Sequence, residues 1–370
     1  MEKIKEVKLV ILKQTYNIFY QIVAFFTVPK KRIVITSNRA SFLRGNLLAI
    51  HEELIKNDEL EVVVYLFHFE RSFKGRIVYF LKSFRVLYYL ATSSVFIIDD
   101  YLFPLYCINK KKENTVIQVW HAVGTLKKFG LSIPRNKLDV VIPHRNYDWV
   151  IVNTEDDIEA YAEAFGVEKE QVLPLGVPKL DLIQKKQKKV KNKRILYAPT
   201  YRKDTDPFIG NQMNDLLKMV EINLPDWEII ISLHPYVKNR YELRSSGKAK
   251  VITSPESIED YYTSTDVFIT DYSATMLEYS YFEQPILIYA PDLKYYKKDP
   301  GFYVDFESFL NAPVFKSAED LVKYIGNNDI INEVGYVREI KNKIFNKCEN
   351  MNSSDEIRVF CERILDNHHR

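Results

Sequence analysis

Three cysteines in 370 residues, Cys107, Cys348 and Cys361, leave an odd thiol and show no metal-ligand spacing. That argues against a disulfide framework and a zinc site, and it fits a reducing, cytoplasmic setting. No H-x-x-x-H pair occurs among the seven histidines. The chain also lacks a P-loop, a G-x-G-x-x-G run and a G-x-S-x-G elbow, so ATPase, dinucleotide dehydrogenase and α/β-hydrolase chemistry lose ground. Internal repeats and low-complexity tracts are absent as well.

What is present is a folded, aromatic chain: 46% apolar and 27% charged, with 25 Tyr and 22 Phe. Its length exceeds the roughly 250–300 residues at which a single core stops growing, so two domains are expected. The net charge of +3 is small but unevenly placed, with seven Lys or Arg against two Glu in the first 32 residues. Within that basic arm, "LVILKQTYNIFYQIVAFFTVP" resembles an anchor, yet Lys13, Gln14, Asn17 and Gln21 interrupt it and no small-residue cleavage site follows. The pattern fits a helix lying on a membrane surface or one packed on the protein's own domain. Residues 69–90 raise the same pair of readings. There Phe73, Ile77, Phe80, Phe84 and Leu87 recur on one side of a helix, and Arg71, Lys74, Lys82 and Arg85 cluster on another.

Short apolar β-rich runs alternate with helical segments, predicting strands at 32–36, 61–67, 94–99, 115–120, 149–153, 194–199, 227–233, 250–253, 267–271 and 285–290. Such strands belong in parallel sheets covered on both faces. The basic run "QKKQKKVKNKR" at 184–194 divides them five and five, predicting two similar α/β domains. Polar residues then fall at strand ends: Ser37-Asn38-Arg39, Asp99-Asp100, His121, Asn153-Thr154, Thr200 to Arg202, His234 and Asp271 to Ser273. Ligands of open parallel sheets bind at the carboxyl ends of strands, so these residues are candidates for one shared site in a cleft between the domains.

Four of these ends carry chemistry. "VFIT" runs into Asp271, Ser273 and Thr275 at a helix start, which suits a phosphate, although Asp271 or Ser273 as a plain cap fits equally. "ILYAPTYRK" offers Thr200 and Arg202, and guanidinium is well matched to diphosphate oxygens. His121 and His234 end strands in different predicted domains, and imidazole is the side chain suited to proton transfer near neutral pH.

The ordered motifs "VWHAVGTLKKFG", "VLPLGVPKLD", "ILYAPTYR", "SLHP" and "DVFITDYSATMLEYSYFEQPILIY" resemble those of the CDP-glycerol glycerophosphotransferase family of wall teichoic-acid synthesis, over roughly residues 95–310. The resemblance implies a GT-B architecture of two facing Rossmann-like domains with parallel sheets, plus membrane-associating N-terminal helical segments. It implies a membrane-associating segment at 1–30, an acceptor-facing domain at 31–183, a CDP-donor domain at 184–353 and a closing helix at 354–370 that crosses back to the first domain. The implied reaction moves glycerol 3-phosphate from CDP-glycerol to a hydroxyl and releases CMP. His121 is then the base and His234 lies near the donor phosphates. Arg202, Thr200, Thr270, Asp271, Ser273 and Thr275 are donor contacts, while Gly124, Lys127 and Lys128 are acceptor or phosphate contacts.

The implied acceptor is a polyprenyl-diphosphate-linked disaccharide or its glycerophosphate-primed form, met at an anionic membrane on its cytoplasmic face. No nucleic-acid partner, no cofactor and no metal are expected. Priming is favoured because the chain is near the minimum for two domains. A glycerol- or ribitol-phosphate polymerase, or a GT-B glycosyltransferase using a nucleotide sugar, stands as the alternative.

Overall fold

Parallel apolar strands need helices on both faces, and each half of this chain supplies them. The computed structural model describes residues 2–70, 72–134, 140–187, 193–200, 207–233, 249–252, 257–327, 330, 333–346 and 352–368. The chain divides into two units, Met1–Leu182 with Lys347–Arg370, and Ile183–Asn346. All ten expected strands form. Two further strands of two residues each join them, giving each unit six parallel strands instead of five.

The first sheet contains β1 (Lys30–Ser37), β2 (Glu61–Leu66), β3 (Ser93–Ile98), β4 (Thr115–Gln118), β5 (Trp149–Ile151) and β6 (Val172–Leu173), in the order β2-β1-β3-β4-β5-β6. Alternation along the strands sends Ile33, Ile35, Val95, Ile97 and Ile117 to one face. There α2 (Gly45–Leu54) and α13 (Ser353–His368) bury Leu47, Ile50, Ile357, Cys361 and Leu365. Val34, Phe96, Val116 and Val150 face the other way, toward α1 (Glu2–Phe26), α3 (Phe73–Ala91), α4 (Phe103–Tyr106) and α5 (Ile158–Phe165), with Tyr16, Tyr20, Leu87, Tyr106 and Phe165 in that core. The closing helix is pinned at its start by Asp181 of α6 (Pro178–Gln184). That carboxylate accepts the Ser354 backbone N–H at 2.8 Å and the Ser354 hydroxyl at 2.6 Å.

Helix α1 is apolar on two opposite sides. Tyr16, Tyr20 and Ala24 are buried in the core, while Ile4, Val7, Ile11, Ile18, Ile22 and Phe25 form an exposed stripe, Phe25 at 83%. The polar residues that interrupt the run dock the helix. Lys13 Nζ donates to Val140 O at 3.0 Å, Asn17 Oδ1 accepts the Asn109 N–H at 2.8 Å, and Gln21 Nε2 donates to Asn109 O at 2.7 Å. By length and composition Ile4–Phe26 could cross a membrane. The α3 stripe splits in the same manner: Phe80, Phe84 and Leu87 turn inward, whereas Phe73 and Ile77 are exposed. Arg71 lies outside the described residues.

The second sheet contains β7 (Arg194–Ala198), β8 (Glu228–Ser232), β9 (Ala249–Ile252), β10 (Val267–Thr270), β11 (Ile286–Tyr289) and β12 (Val314–Phe315), in the order β12-β11-β10-β7-β8-β9. One face packs on α7 (Pro207–Asn223) and α11 (Ala318–Asn327) through Met213, Leu216, Leu217, Leu321 and Ile325. On the other, the Phe268 ring meets Tyr279 of α8 (Thr275–Tyr279) at 5.0 Å, and α12 (Gly335–Phe345) packs over α8. Two short helices, α9 (Leu293–Tyr296) and α10 (Phe306–Leu310), place Tyr296 and Phe306 against the ring of Tyr272.

Candidate active site

Strand order reverses between β1 and β3 in the first unit and between β7 and β10 in the second, and the crevice at such a reversal is where open parallel sheets bind ligands. Each reversal carries a polar cluster at its carboxyl end.

In the first unit, the Arg39 guanidinium reaches Asp100 at 3.2 Å and Asp99 at 3.7 Å, joining the ends of β1 and β3. His121 leaves the neighbouring β4 and turns its Nδ1 toward this pair, 3.3 Å from Asp99 O and 3.8 Å from an Asp100 carboxylate oxygen. Nδ1 therefore carries the proton and donates to the carbonyl, which leaves Nε2 as the basic nitrogen. The imidazole is 32% exposed. Burial, reinforced by the charges of Arg39 and Lys179, holds it well below its ordinary value, so it is uncharged near neutral pH. Burial also pushes Asp100 up to about 6, against the pull of Arg39 and with the charge of Asp99 adding to the rise.

The turn that aims His121 is strained. Trp120 sits at φ 47, in the left-handed region, which costs a bulky residue about 1–3 kcal/mol and persists only where its surroundings over-determine it. Those surroundings include the Gln118 side chain, which accepts the Trp120 N–H at 2.9 Å, and the ring of Phe129, stacked on the indole at 5.4 Å. Gly124 follows at φ 68, a turn position, and its carbonyl accepts from the Tyr161 hydroxyl at 3.3 Å. Lys127 and Lys128 are half-buried, and the Lys127 charge acts on His121. His144, by contrast, is buried with Nδ1 3.1 Å from the Tyr147 hydroxyl and belongs to the aromatic core.

In the second unit, Asp271 ends β10 fully buried. Its Oδ1 accepts the backbone N–H of Thr200 at 2.8 Å and of Tyr272 at 2.5 Å. Thr270 donates its hydroxyl to Ala198 O at 2.7 Å, so both residues tie β10 to the end of β7 and frame the reversal. Ser273 and Thr275 are half-buried, their hydroxyls 2.8 Å apart at the opening of α8. The Tyr272 hydroxyl donates to Asp292 at 2.8 Å, fixing the residue between them and Asp271. Arg202 and His234 lie outside the described residues. Among the described residues no three His, Cys, Asp or Glu side chains are grouped to hold a metal ion.

The structure thus joins Arg39, Asp99, Asp100 and His121, which were separate strand ends in the sequence, and adds Lys179. The motif containing Lys179 was conspicuous, but its role was not legible. An uncharged imidazole with its proton turned inward is equipped to accept a proton at Nε2.

Residues 18–364 match the family described as CDP-Glycerol:Poly(glycerophosphate) glycerophosphotransferase. The chain is 34% identical over 336 residues to a teichoic acid ribitol-phosphate primase of Bacillus spizizenii, covering 84% of this chain and 86% of that one. It is 30% identical to a teichoic acid glycerol-phosphate primase of Bacillus subtilis, covering 76% of each. Its fold is similar to that of the wall teichoic acid polymerase TagF soaked with CDPG, with a TM-score of 0.73 and 17% identity, covering 100% of this chain and 98% of the other.

Proposed function

The chain belongs to the CDP-glycerol:poly(glycerophosphate) glycerophosphotransferase family, transferases of teichoic-acid synthesis, and on that premise we propose that it catalyses the priming step. It moves glycerol 3-phosphate from CDP-glycerol to a hydroxyl of a polyprenyl-linked precursor. His121 is assigned as the base, and the groups at the β7–β10 reversal as those that hold the donor. The acceptor O–H gives its proton to His121 Nε2 as the oxygen attacks the phosphorus that bears glycerol. The bond from that phosphorus to the bridging oxygen breaks, and CMP leaves with the electron pair. Ser273, Thr275, the Thr200 loop and Arg202 are the donor-side groups suited to hold the developing charge. His234 is assigned to the donor phosphates, and the chemistry needs no cofactor.

The observation that carries this reading is the uncharged His121 imidazole, its Nδ1 at Asp99 O and its Nε2 basic. The priming assignment is supported by the primase relatives at 34% and 30% identity. The first of these also favours a second donor reading, CDP-ribitol. Incubating the protein with CDP-glycerol or CDP-ribitol and a lipid-linked disaccharide analogue, then weighing the products, tests all of this. One added polyol phosphate with equimolar CMP is expected, and the better donor names the polyol. A ladder would make the enzyme a polymerase, and UDP release from a UDP-sugar without CMP release would overturn the reaction.

Such acceptors reside in the cytoplasmic leaflet, and the exposed apolar stripe of α1 is suited to lie in that surface beside the basic residues around it. Deleting α1 would remove Tyr16 and Tyr20 from the core and uncover the side chains they pack on, Phe84 among them, so substitution of the outer face is the cleaner probe. Replacing Ile4, Ile11, Ile18 and Phe25 by Gln is expected to weaken binding to anionic vesicles at least tenfold, since each apolar side chain fully withdrawn from water contributes about 1.5–3 kcal/mol. The melting temperature should not change. Unaltered vesicle binding would remove α1 as the docking element and leave α3.

A further inference from the structure

Three consecutive backbone carbonyls around the His121 turn are held by two buried side chains. Asn46 of α2 donates its amide to Val119 O at 3.1 Å and to Trp120 O at 2.8 Å. Lys179 of α6 donates its ammonium to His121 O at 2.6 Å. The two holders are themselves joined, because Asn46 Oδ1 accepts the backbone N–H of Lys179 at 2.9 Å. Asn46 is 3% exposed and Lys179 7%. Burying an ammonium is costly, and a methionine would fill the same space without that cost. The segment they grip is the one that passes through the left-handed Trp120.

We infer that Asn46 and Lys179 are positioning residues for His121, clamping the strained 119–121 turn so that the imidazole is presented in its productive orientation. Lys179 has a second effect. Its charge adds to those of Arg39, at the end of β1, and Lys127, beyond β4, in opposing protonation of the imidazole. The Asp99 carbonyl and the Asp100 carboxylate, at the end of β3, act in the other direction. The inference rests on His121 being the base.

The test compares Lys179→Met, Lys179→Arg, Asn46→Asp and His121→Gln for kcat, KM and the pH dependence of kcat, with the CDP-alcohol that the protein turns over. Asn46→Asp keeps the acceptor for Lys179 but loses the amide that grips Val119 O and Trp120 O. Lys179→Met and Asn46→Asp are expected to lower kcat ten- to a hundredfold with KM for the donor unchanged. Lys179→Met is expected to move the acid limb of kcat to higher pH, and Lys179→Arg to restore part of the rate. Methionine and aspartate variants that stay within twofold of the parent in kcat would overturn the inference, as would a donor KM rising in step with the fall in kcat. The His121→Gln arm separates the two claims. Loss of turnover there alone leaves the base assignment standing and removes the clamp, whereas full turnover in His121→Gln removes the base assignment itself.

Discussion

His121→Gln is expected to lower turnover by about 10²–10⁴, the range that a positioned general base contributes, while the affinity for CDP-glycerol measured by calorimetry stays within twofold. Glutamine occupies much of the imidazole's space and can still donate to Asp99 O, so the packing on Trp120 is largely kept. What disappears is the basic nitrogen. The residues proposed as donor contacts, Thr200, Ser273 and Thr275 among them, are left in place by the change. A pH series sharpens the result. The imidazole is held below its ordinary value of 6.5, so in the parent protein the acid limb of kcat lies below pH 6.5, and the limb vanishes in the variant. The sign for stability follows from the same shift. As pH falls below 6.5 the unfolded chain takes up a proton at this residue before the folded one does, so the fold loses stability from 6.5 down to the lowered value. His121→Gln removes that increment of acid sensitivity. Retention of turnover within threefold would end His121's assignment as the base.

Asp271→Ala is expected to destabilise the second unit by about 2–6 kcal/mol in chemical unfolding, because the backbone N–H groups of Thr200 and Tyr272 lose a shared acceptor and each costs about 1–3 kcal/mol. The loops that carry Thr200 and Ser273 are then no longer pinned together, so donor affinity should fall at least tenfold. Asp271→Asn keeps an oxygen in the same place and should recover most of the stability. If it does so while donor affinity stays low, the carboxylate charge matters for binding as well as the frame. Equal unfolding midpoints for Asp271→Ala and the parent would show that the loop ends do not depend on this residue.

Much of this architecture could be read before any coordinates. The ten apolar runs became strands because parallel strands buried on both faces have no polar alternation to disguise them. Val172–Leu173 and Val314–Phe315 were missed for a simple reason: two residues beside a proline carry no pattern, and only pairing with β5 and β11 makes them strands. The site was legible as a set of polar strand ends and not as contacts. Nothing local in the sequence brings Arg39 to Asp100, or Lys179 to a carbonyl 58 positions away. The resemblance made Asp271 and Thr270 donor contacts, and their burial and bonds to the Thr200 N–H and Ala198 O also give them the task of holding two strand ends together.

The closing helix has a consequence for the order of events during synthesis. One face of the first sheet is covered by Ile357, Cys361 and Leu365 as well as by α2, and Asp181 has its bonds to Ser353 and Ser354 only when that helix is in place. The residues of the second unit all emerge from the ribosome between these two halves of one core. The first sheet, translated before the second, is therefore completed after it, and part of one apolar face waits uncovered until α13 arrives.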